Sequence, residues 1–530
     1  AAGDGLDKSG DTIARTAGRL GLYIYAYSSY QSIIRGGHIW LRIRIGENKP
    51  YSHGDHLNVL IALNQDAIER HAREVEEGGA ILYNSDRFNC PTLLVRDNVL
   101  TVPLPVTEIT KPIGKLPPIM QNTVMAGALL FLLDFDFDMM VEVLGDTFAH
   151  KGPEVIEKNV AVARAGYDYA KEHFVPLGYE WNFSRIRRPF TTGNEVFALG
   201  AVAAGCKFYS AYPMTPASSI LHWMASHGEK CGVVVKQCED ELGVVNMAIG
   251  AGYAGVRAMC ATSGGGFALM TEAIGQAGMI EAPVVVINVQ RGGPSTGIPT
   301  KTEQADLNQV YGASQGDYPR VIMAPTDTAD CYHSAVEAFN LAEKYQLPVL
   351  IISDLLLSEH PETVERDAMK PDVPIERGEL VTEWPDGNGP FRRYKMTKSG
   401  ISPRALPGTL NTVHVAPTDD HDEQGILISD MFTSPPVRRK IQEKRMRKME
   451  LIGRELAPPE TYGPEDADVT LIGWGSTKGV IREAVDKLNA AGIKANQLQV
   501  KYLVPFQTEE VKAILAKSKR TFCVEVNYTG

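Results

Sequence analysis

Residues 239–302 constrain the fold more than any other part of the chain. The stretch opens on a carboxylate, Glu239, followed by a small-residue helix predicted over 242–255. A strand, 257–262, runs into Ser263-Gly264-Gly265-Gly266, and a second small-residue helix is predicted over 267–281. An apolar strand, 283–289, then ends in Gln290-Arg291-Gly292-Gly293-Pro294-Ser295. Strands alternating with helices in this way predict a parallel sheet covered on both faces. Such sheets place their chemistry at the carboxyl ends of strands. Here those ends carry a run of glycines and an arginine. The glycines suit a phosphate-holding turn, a flat ligand or close helix packing, and composition does not choose among them.

The rest of the chain reads as further α/β units. Residues 1–175 form a first domain. Its glycine turn, Gly3-Asp4-Gly5, precedes a helix predicted over 8–20 and a strand over 22–27. That turn suits a phosphate or tight packing equally. The loop holding Arg35, Gly36, Gly37 and His38 leads into an alternating strand, 39–45, which puts Arg42 and Arg44 on one face. The two arginines make either a basic patch or a solvated edge. His38 has no ligand or triad partner near it in sequence and reads as structural. The apolar run 124–133 is stopped by Asp134, Asp136 and Asp138, too soon to span a membrane.

Periodicity is lost over 176–192, read as a linker, and returns at Gly193-Asn194-Glu195 with a helix over 195–205. A strand, 208–211, breaks at Tyr212-Pro213-Met214-Thr215-Pro216. Two prolines fix that turn and present the threonine hydroxyl, which also suits an N-cap. Residues 193–360 make a second α/β domain whose Gly-, Pro-, Ser- and Thr-rich loop, 292–301, suits a substrate wall. Residues 361–462 are irregular and include a basic helix, 436–451, of mixed charge, read as a solvated connector with the length of an arm. Residues 463–530 make a last α/β unit that looks cut short after its strand 521–526.

The net charge of −11 argues against nucleic acid or an anionic membrane as the main partner. The seven cysteines form no Cys-x-x-Cys pair and read as free thiols of a reducing cytoplasm. No iron–sulfur cluster or structural zinc is expected on this chain.

The ordered motifs go further. Gln237-Cys238-Glu239-Asp240-Glu241, then Ala261-Thr262-Ser263-Gly264-Gly265-Gly266, then an apolar strand, resembles the pyrimidine-binding domain of thiamine-diphosphate enzymes. Tyr212-Pro213-Met214-Thr215-Pro216 resembles the Tyr-Pro-(Ile/Met)-Thr-Pro signature of 2-oxoacid:ferredoxin oxidoreductases. The likeness extends through Gly193-Asn194-Glu195, Asn246-Met247-Ala248-Ile249-Gly250 and Gln290-Arg291-Gly292-Gly293-Pro294-Ser295-Thr296-Gly297. Ile34-Arg35-Gly36-Gly37-His38 is similar to that family's gamma domain, here fused ahead of the alpha part. The resemblance covers essentially the whole chain.

The resemblance implies an α/β fold of several parallel-sheet domains, including a thiamine-diphosphate pyrimidine-binding domain and a transketolase C-terminal-like domain. Glu239, Thr215 and Arg291 are the implied catalytic residues. Glu239 would bond the aminopyrimidine ring and favour the imino tautomer, whose nitrogen deprotonates the thiazolium carbon. Tyr212, Pro213, Met214 and Thr215 would line the cofactor. Thr215, Arg291 and Thr300 would bind the 2-oxoacid, with Arg291 pairing with its carboxylate. Glu241 reads as a carboxylate favoured by the helix N-terminus. Gly3, Gly5 and Arg35 would contact coenzyme A phosphates, on an opening loop poorer in glycine than the family's usual one.

The magnesium–diphosphate motif and the cluster cysteines are missing from this sequence, and the family's split-chain members carry both on a beta subunit. The implied assembly is therefore a heterotetramer of two fused chains and two beta chains. Thiamine diphosphate would be shared, with Mg2+ and a 4Fe–4S cluster on the partner. The implied reaction converts a 2-oxoacid, 2-oxoglutarate first, and coenzyme A to acyl-CoA and CO2 while reducing ferredoxin. Its reverse would suit the reductive TCA cycle. Two rival readings use the same residues: a non-oxidative thiamine enzyme subunit and a nucleotide-binding regulatory subunit.

Overall fold

A computed structural model describes residues 5–30, 36–428 and 434–529. Gly3 and Arg35, expected at coenzyme A, lie outside them. The chain forms two compact units, Ala1–Phe190 with Pro361–Val364, and Thr191–His360 with Glu365–Gly530.

The first unit opens with the helix Leu6–Arg19 and the strand Tyr23–Ser29, close to expectation. That strand pairs antiparallel with Trp40–Gly46, so this sheet departs from the parallel pattern expected of the chain. It gains a further neighbour late in the sequence, the two-residue strand Glu362–Thr363. A separate parallel sheet is built from Leu57–Ala62, Val75–Asn84 and Leu100–Leu104. The apolar run expected at 124–133 is the core helix Asn122–Leu132. It packs on Pro153–His173, and a Cβ on either Gly127 or Gly166 would overlap the facing helix backbone. No helix among the described residues is long and apolar enough to cross a membrane.

Three local readings change here. Arg42 donates to the Gly54 carbonyl at 2.8 Å and Arg44 to the Ser52 carbonyl at 3.2 Å, so the pair ties down a turn. His38 does have partners: its Nδ1 lies 2.7 Å from Asp66 and its Nε2 2.8 Å from Nε2 of His71, whose Nδ1 lies 3.0 Å from Glu74. Those partners come from the helix Gln65–His71 and the turn after it, too far along the chain for a local reading to find. The segment expected as a linker has no helix or strand over 176–189 and ends on the two-residue strand Phe190–Thr191, and its Tyr179, Trp181 and Phe183 pack against the first unit's core.

The second unit is organised by a seven-stranded sheet. Its order is Tyr502–Val504, Val321–Met323, Pro348–Asp354, Val284–Gln290, Ala258–Thr262, Phe208–Ala211, Val234–Gln237. All neighbours are parallel except the first pair. The central strand Val284–Gln290 is buried throughout, with Val285, Ile287 and Val289 in one core and Val284 and Val286 in another. Both faces are therefore covered, as its unbroken apolar sequence requires. A smaller sheet follows, in the order Glu460–Tyr462, Ala495–Val500, Val469–Trp474, Arg520–Cys523.

The basic helix, Pro435–Glu455, is not a solvated connector. Lys444 and Lys448 are 1% and 0% exposed, and both grip the buried carboxylate of Glu281, Lys448 at 2.6 Å. Arg445 is buried as well and meets Asp420 at 2.9 Å. All seven cysteines are free thiols.

Candidate active site

Parallel strands point their carboxyl ends to one edge, so four loops meet there. The first is Tyr212-Pro213-Met214-Thr215-Pro216, after Phe208–Ala211. It is braced from beneath: buried Asn194 donates to the Pro216 carbonyl at 2.9 Å and to Ser219 at 2.8 Å. Asn194 is set by the helix Gly193–Ala203, whose start is fixed by a Thr192–Glu195 capping box. Tyr212 and Pro213 are exposed, while Met214 and Thr215 are partly covered.

Arg291 follows the strand Val284–Gln290 and donates to the Thr215 carbonyl at 2.5 Å. Two residues singled out 76 positions apart are thus in contact. Thr300 ends the loop that Arg291 begins. That loop folds back on itself, with the Gly292 amide donating to the Lys301 carbonyl at 3.0 Å, and Thr300 is buried. Burial pulls the Arg291 pKa down, and the negative charge of Asp306 opposes this.

Glu239, expected at the ring, is exposed. It sits in the turn between Val234–Gln237 and Asp240, which caps the helix Glu241–Tyr253 by accepting from the Gly243 amide at 2.8 Å. The carboxylate that the structure buries is Glu241, 3% exposed, with no hydrogen-bond partner for Oε1. Helical phase explains the difference. Glu241 shares the inward face with Val244, Val245, Ala248, Ile249 and Gly252, whereas Glu239 precedes the helix. Gly252 serves close packing, because a Cβ there would overlap the Pro283 carbonyl.

Ser263 precedes the helix Gly264–Met279, and the three glycines form its first turn. They do not offer a phosphate cradle. A Cβ on Gly266 would overlap the Thr262 hydroxyl and the Glu241 carboxylate, and one on Gly264 would fall 2.7 and 2.8 Å from the oxygens of Asp306. Two carboxylates already meet the positive end of this helix, which disfavours a third anion. What the place lacks is hydrogen-bond partners. Glu241 Oε1 and Asn288 Oδ1 are buried acceptors without partners, and the Ser263 hydroxyl is also unpaired. Asn288 stands beside Thr262 across the two paired strands. A ring bearing N–H groups fits this set, since an unmade buried hydrogen bond costs about 1–3 kcal/mol. Asp306, Asn288 and the Asn194 brace were not anticipated. The Glu241 phase was readable, because Asp240 is a capping residue and the apolar period starts after it.

Gly5 stands at the start of Leu6–Arg19 with φ of 80°, the left-handed region that favours glycine. Among the described residues no group of three or more His, Cys, Asp or Glu side chains could hold a metal ion.

Three family models match in register with this architecture. Residues 1–169 match the pyruvate ferredoxin/flavodoxin oxidoreductase model. Residues 199–405 match the thiamine diphosphate-binding model of pyruvate flavodoxin/ferredoxin oxidoreductases. Residues 467–530 match core domain II of pyruvate:ferredoxin oxidoreductase. The 2-oxoacid:ferredoxin oxidoreductase subunit alpha of a Sulfolobus species is 30% identical over 100% of this chain and 89% of its own length. This chain belongs to the 2-oxoacid:ferredoxin oxidoreductase family, as an alpha subunit. The 2-oxoglutarate oxidoreductase subunit KorA of Mycobacterium tuberculosis is 30% identical over 99% of this chain and 84% of its own. The 2-oxoglutarate:ferredoxin oxidoreductase of Magnetococcus marinus, solved with 2-oxoglutarate, coenzyme A and succinyl-CoA bound, is 36% identical with a TM-score of 0.91. That match covers 100% of this chain and 91% of the other. The chain is therefore a subunit of an oxidoreductase, α/β in fold, and its Thr215, Glu241, Arg291 and Thr300 all lie inside the thiamine diphosphate-binding match.

Proposed function

We propose that this alpha subunit, with a beta partner, oxidatively decarboxylates 2-oxoglutarate to acyl-CoA and CO2 with ferredoxin as electron acceptor, and that the reaction runs in both directions. The full-length likeness to the Magnetococcus enzyme, whose structure holds 2-oxoglutarate and succinyl-CoA, supports the substrate. The observation that carries the chemistry is the buried, unpartnered Oε1 of Glu241. Thiamine diphosphate, when bound, supplies a nucleophilic carbon and an electron sink for loss of CO2. Glu241 is the residue to accept from a ring N–H, a place the resemblance alone gave to Glu239. Arg291 takes the 2-oxoacid carboxylate in a charge-assisted contact. Thr215, whose carbonyl Arg291 meets, and Thr300 are proposed to bind the same 2-oxoacid. Tyr212, Pro213 and Met214 form the cofactor side.

The assembly we propose is a cytoplasmic heterotetramer of two fused chains and two beta chains, with Mg2+ and the 4Fe–4S cluster on the beta subunit. Gly3, Gly5 and Arg35 are proposed for the coenzyme A phosphates. The proposed domains are a gamma-type domain at 1–175, a linker at 176–192, a pyrimidine-binding domain at 193–360, a connector at 361–462 and a last α/β domain at 463–530. The test is co-purification with the partner, then ferredoxin reduction across a panel of 2-oxoacids with coenzyme A. The highest kcat/KM is expected with 2-oxoglutarate. Preference for pyruvate would overturn the substrate, and turnover without ferredoxin would overturn the oxidative reading.

A further inference from the structure

We propose that Asp306 is a positioning residue for this reaction, a countercharge that keeps Asn288 and Arg291 in place for a substrate carboxylate without occupying the guanidinium. The inference rests on reading Arg291 as the residue that takes that carboxylate.

Asp306 is held at three points. Its carboxylate accepts from Asn288 Nδ2 at 2.9 Å, and its amide donates to Gln290 Oε1 at 3.0 Å. Its oxygens also sit against the first residue of the helix Gly264–Met279, where a Cβ on Gly264 would come within 2.7 and 2.8 Å of them. Asn288 and Gln290 belong to the strand that delivers Arg291, so Asp306 grips the strand just before the arginine.

The amide of Asn288 is committed by this contact. With Nδ2 given to Asp306, Oδ1 remains a buried acceptor without a partner. Freed from Asp306, the amide could turn over, and the acceptor would be lost.

The charge has a separate use. Arg291 is partly buried and donates to the Thr215 carbonyl rather than to Asp306. A desolvated guanidinium needs a nearby negative charge, yet a carboxylate in its fork would compete with the substrate. Among the described residues Asp306 makes no ion pair with Arg291, and its charge, on the loop tied to Asn288 and Gln290 just before the arginine, favours the charged guanidinium. Other charges on it are few: Glu303 bears on Asp306 from the same loop, and burial raises the Asp306 pKa above the ordinary aspartate value.

The experiment measures KM and kcat for the 2-oxoacid in the enzyme reconstituted with its partner. Asp306→Ala and Asp306→Asn are each expected to raise KM about tenfold with kcat within about twofold, and neither should add to the effect of Arg291→Ala. Asn at this position keeps the size and an acceptor for Asn288, so it reads the charge alone and remains informative where the alanine variant fails to assemble. Gly264→Ala should raise KM like Asp306→Ala, because its methyl takes the carboxylate's place, and should cost nothing more once Asp306 is alanine. A silent Asp306→Asn, or additivity with Arg291→Ala, overturns the inference while leaving Arg291 at the substrate. If Arg291→Ala itself leaves KM unchanged, the reading of Arg291 falls and this inference goes with it.

Discussion

Glu239 and Glu241 are chemically identical and two residues apart, yet one faces solvent and the other lies beneath a helix N-terminus. The motif that surrounds them does not separate the two. Helical phase does, because Asp240 caps the helix and the inward apolar period begins at Glu241. Glu241→Gln in the reconstituted complex should lower turnover by at least ~10²-fold, as loss of a general acid–base group does. Glu239→Gln should stay within about twofold of the parent enzyme. Measuring both kcat values decides the assignment, and the reverse ranking would remove Glu241 from the reaction. Arg291 and Thr215 were visible in the sequence as strand-end residues of one parallel sheet. Asp306 was not, because only the folded 292–301 loop returns the chain to Gln290.

At the scale of elements, strands and small-residue helices were legible from their periods, with ends shifted by up to three residues. The basic helix was not. Its inward face carries Ile441, Lys444, Arg445, Lys448 and Ile452, and a pattern reading counts the lysines as solvated. Their partner, Glu281, lies 163 and 167 residues earlier. Burial pushes the Glu281 pKa up, but Lys444 and Lys448 outweigh it and hold the carboxyl far below its ordinary 4.5. For Lys444 burial dominates and brings the ammonium down to about 7. Glu281→Gln would strand two buried ammoniums and should cost about 3–5 kcal/mol, read as a fall in Tm. The sign for acid follows from the depressed carboxyl: its contribution is complete above pH 4.5 and is lost as pH falls below that value. The parent protein should therefore destabilise more steeply on acidification than the glutamine variant. Parallel acid melts would sink the assignment.

At the scale of the whole molecule, the sequence showed several α/β units but not that one of them is completed from afar. The strand Glu362–Thr363 is too short to carry a period. Even so, the Ala26 amide donates to the Pro361 carbonyl at 2.9 Å, the Ile24 amide to Thr363 Oγ1 at 3.0 Å, and the Val364 amide to the Pro189 carbonyl at 2.9 Å. A fragment of residues 1–190 should therefore present Tyr23–Ser29 as an open edge and self-associate. Light scattering with and without a peptide of residues 359–366 checks this, and a fragment that stays monomeric without the peptide would refute it.

This returning strand also bears on synthesis. As the chain leaves the ribosome, the first unit is nearly all made while the strand that closes its first sheet is still unwritten, and most of the seven-stranded sheet must be translated before Pro361 emerges. The growing polypeptide therefore carries an unfinished sheet through much of its translation, and whatever shields that edge in the interval sets the yield of correctly closed chains.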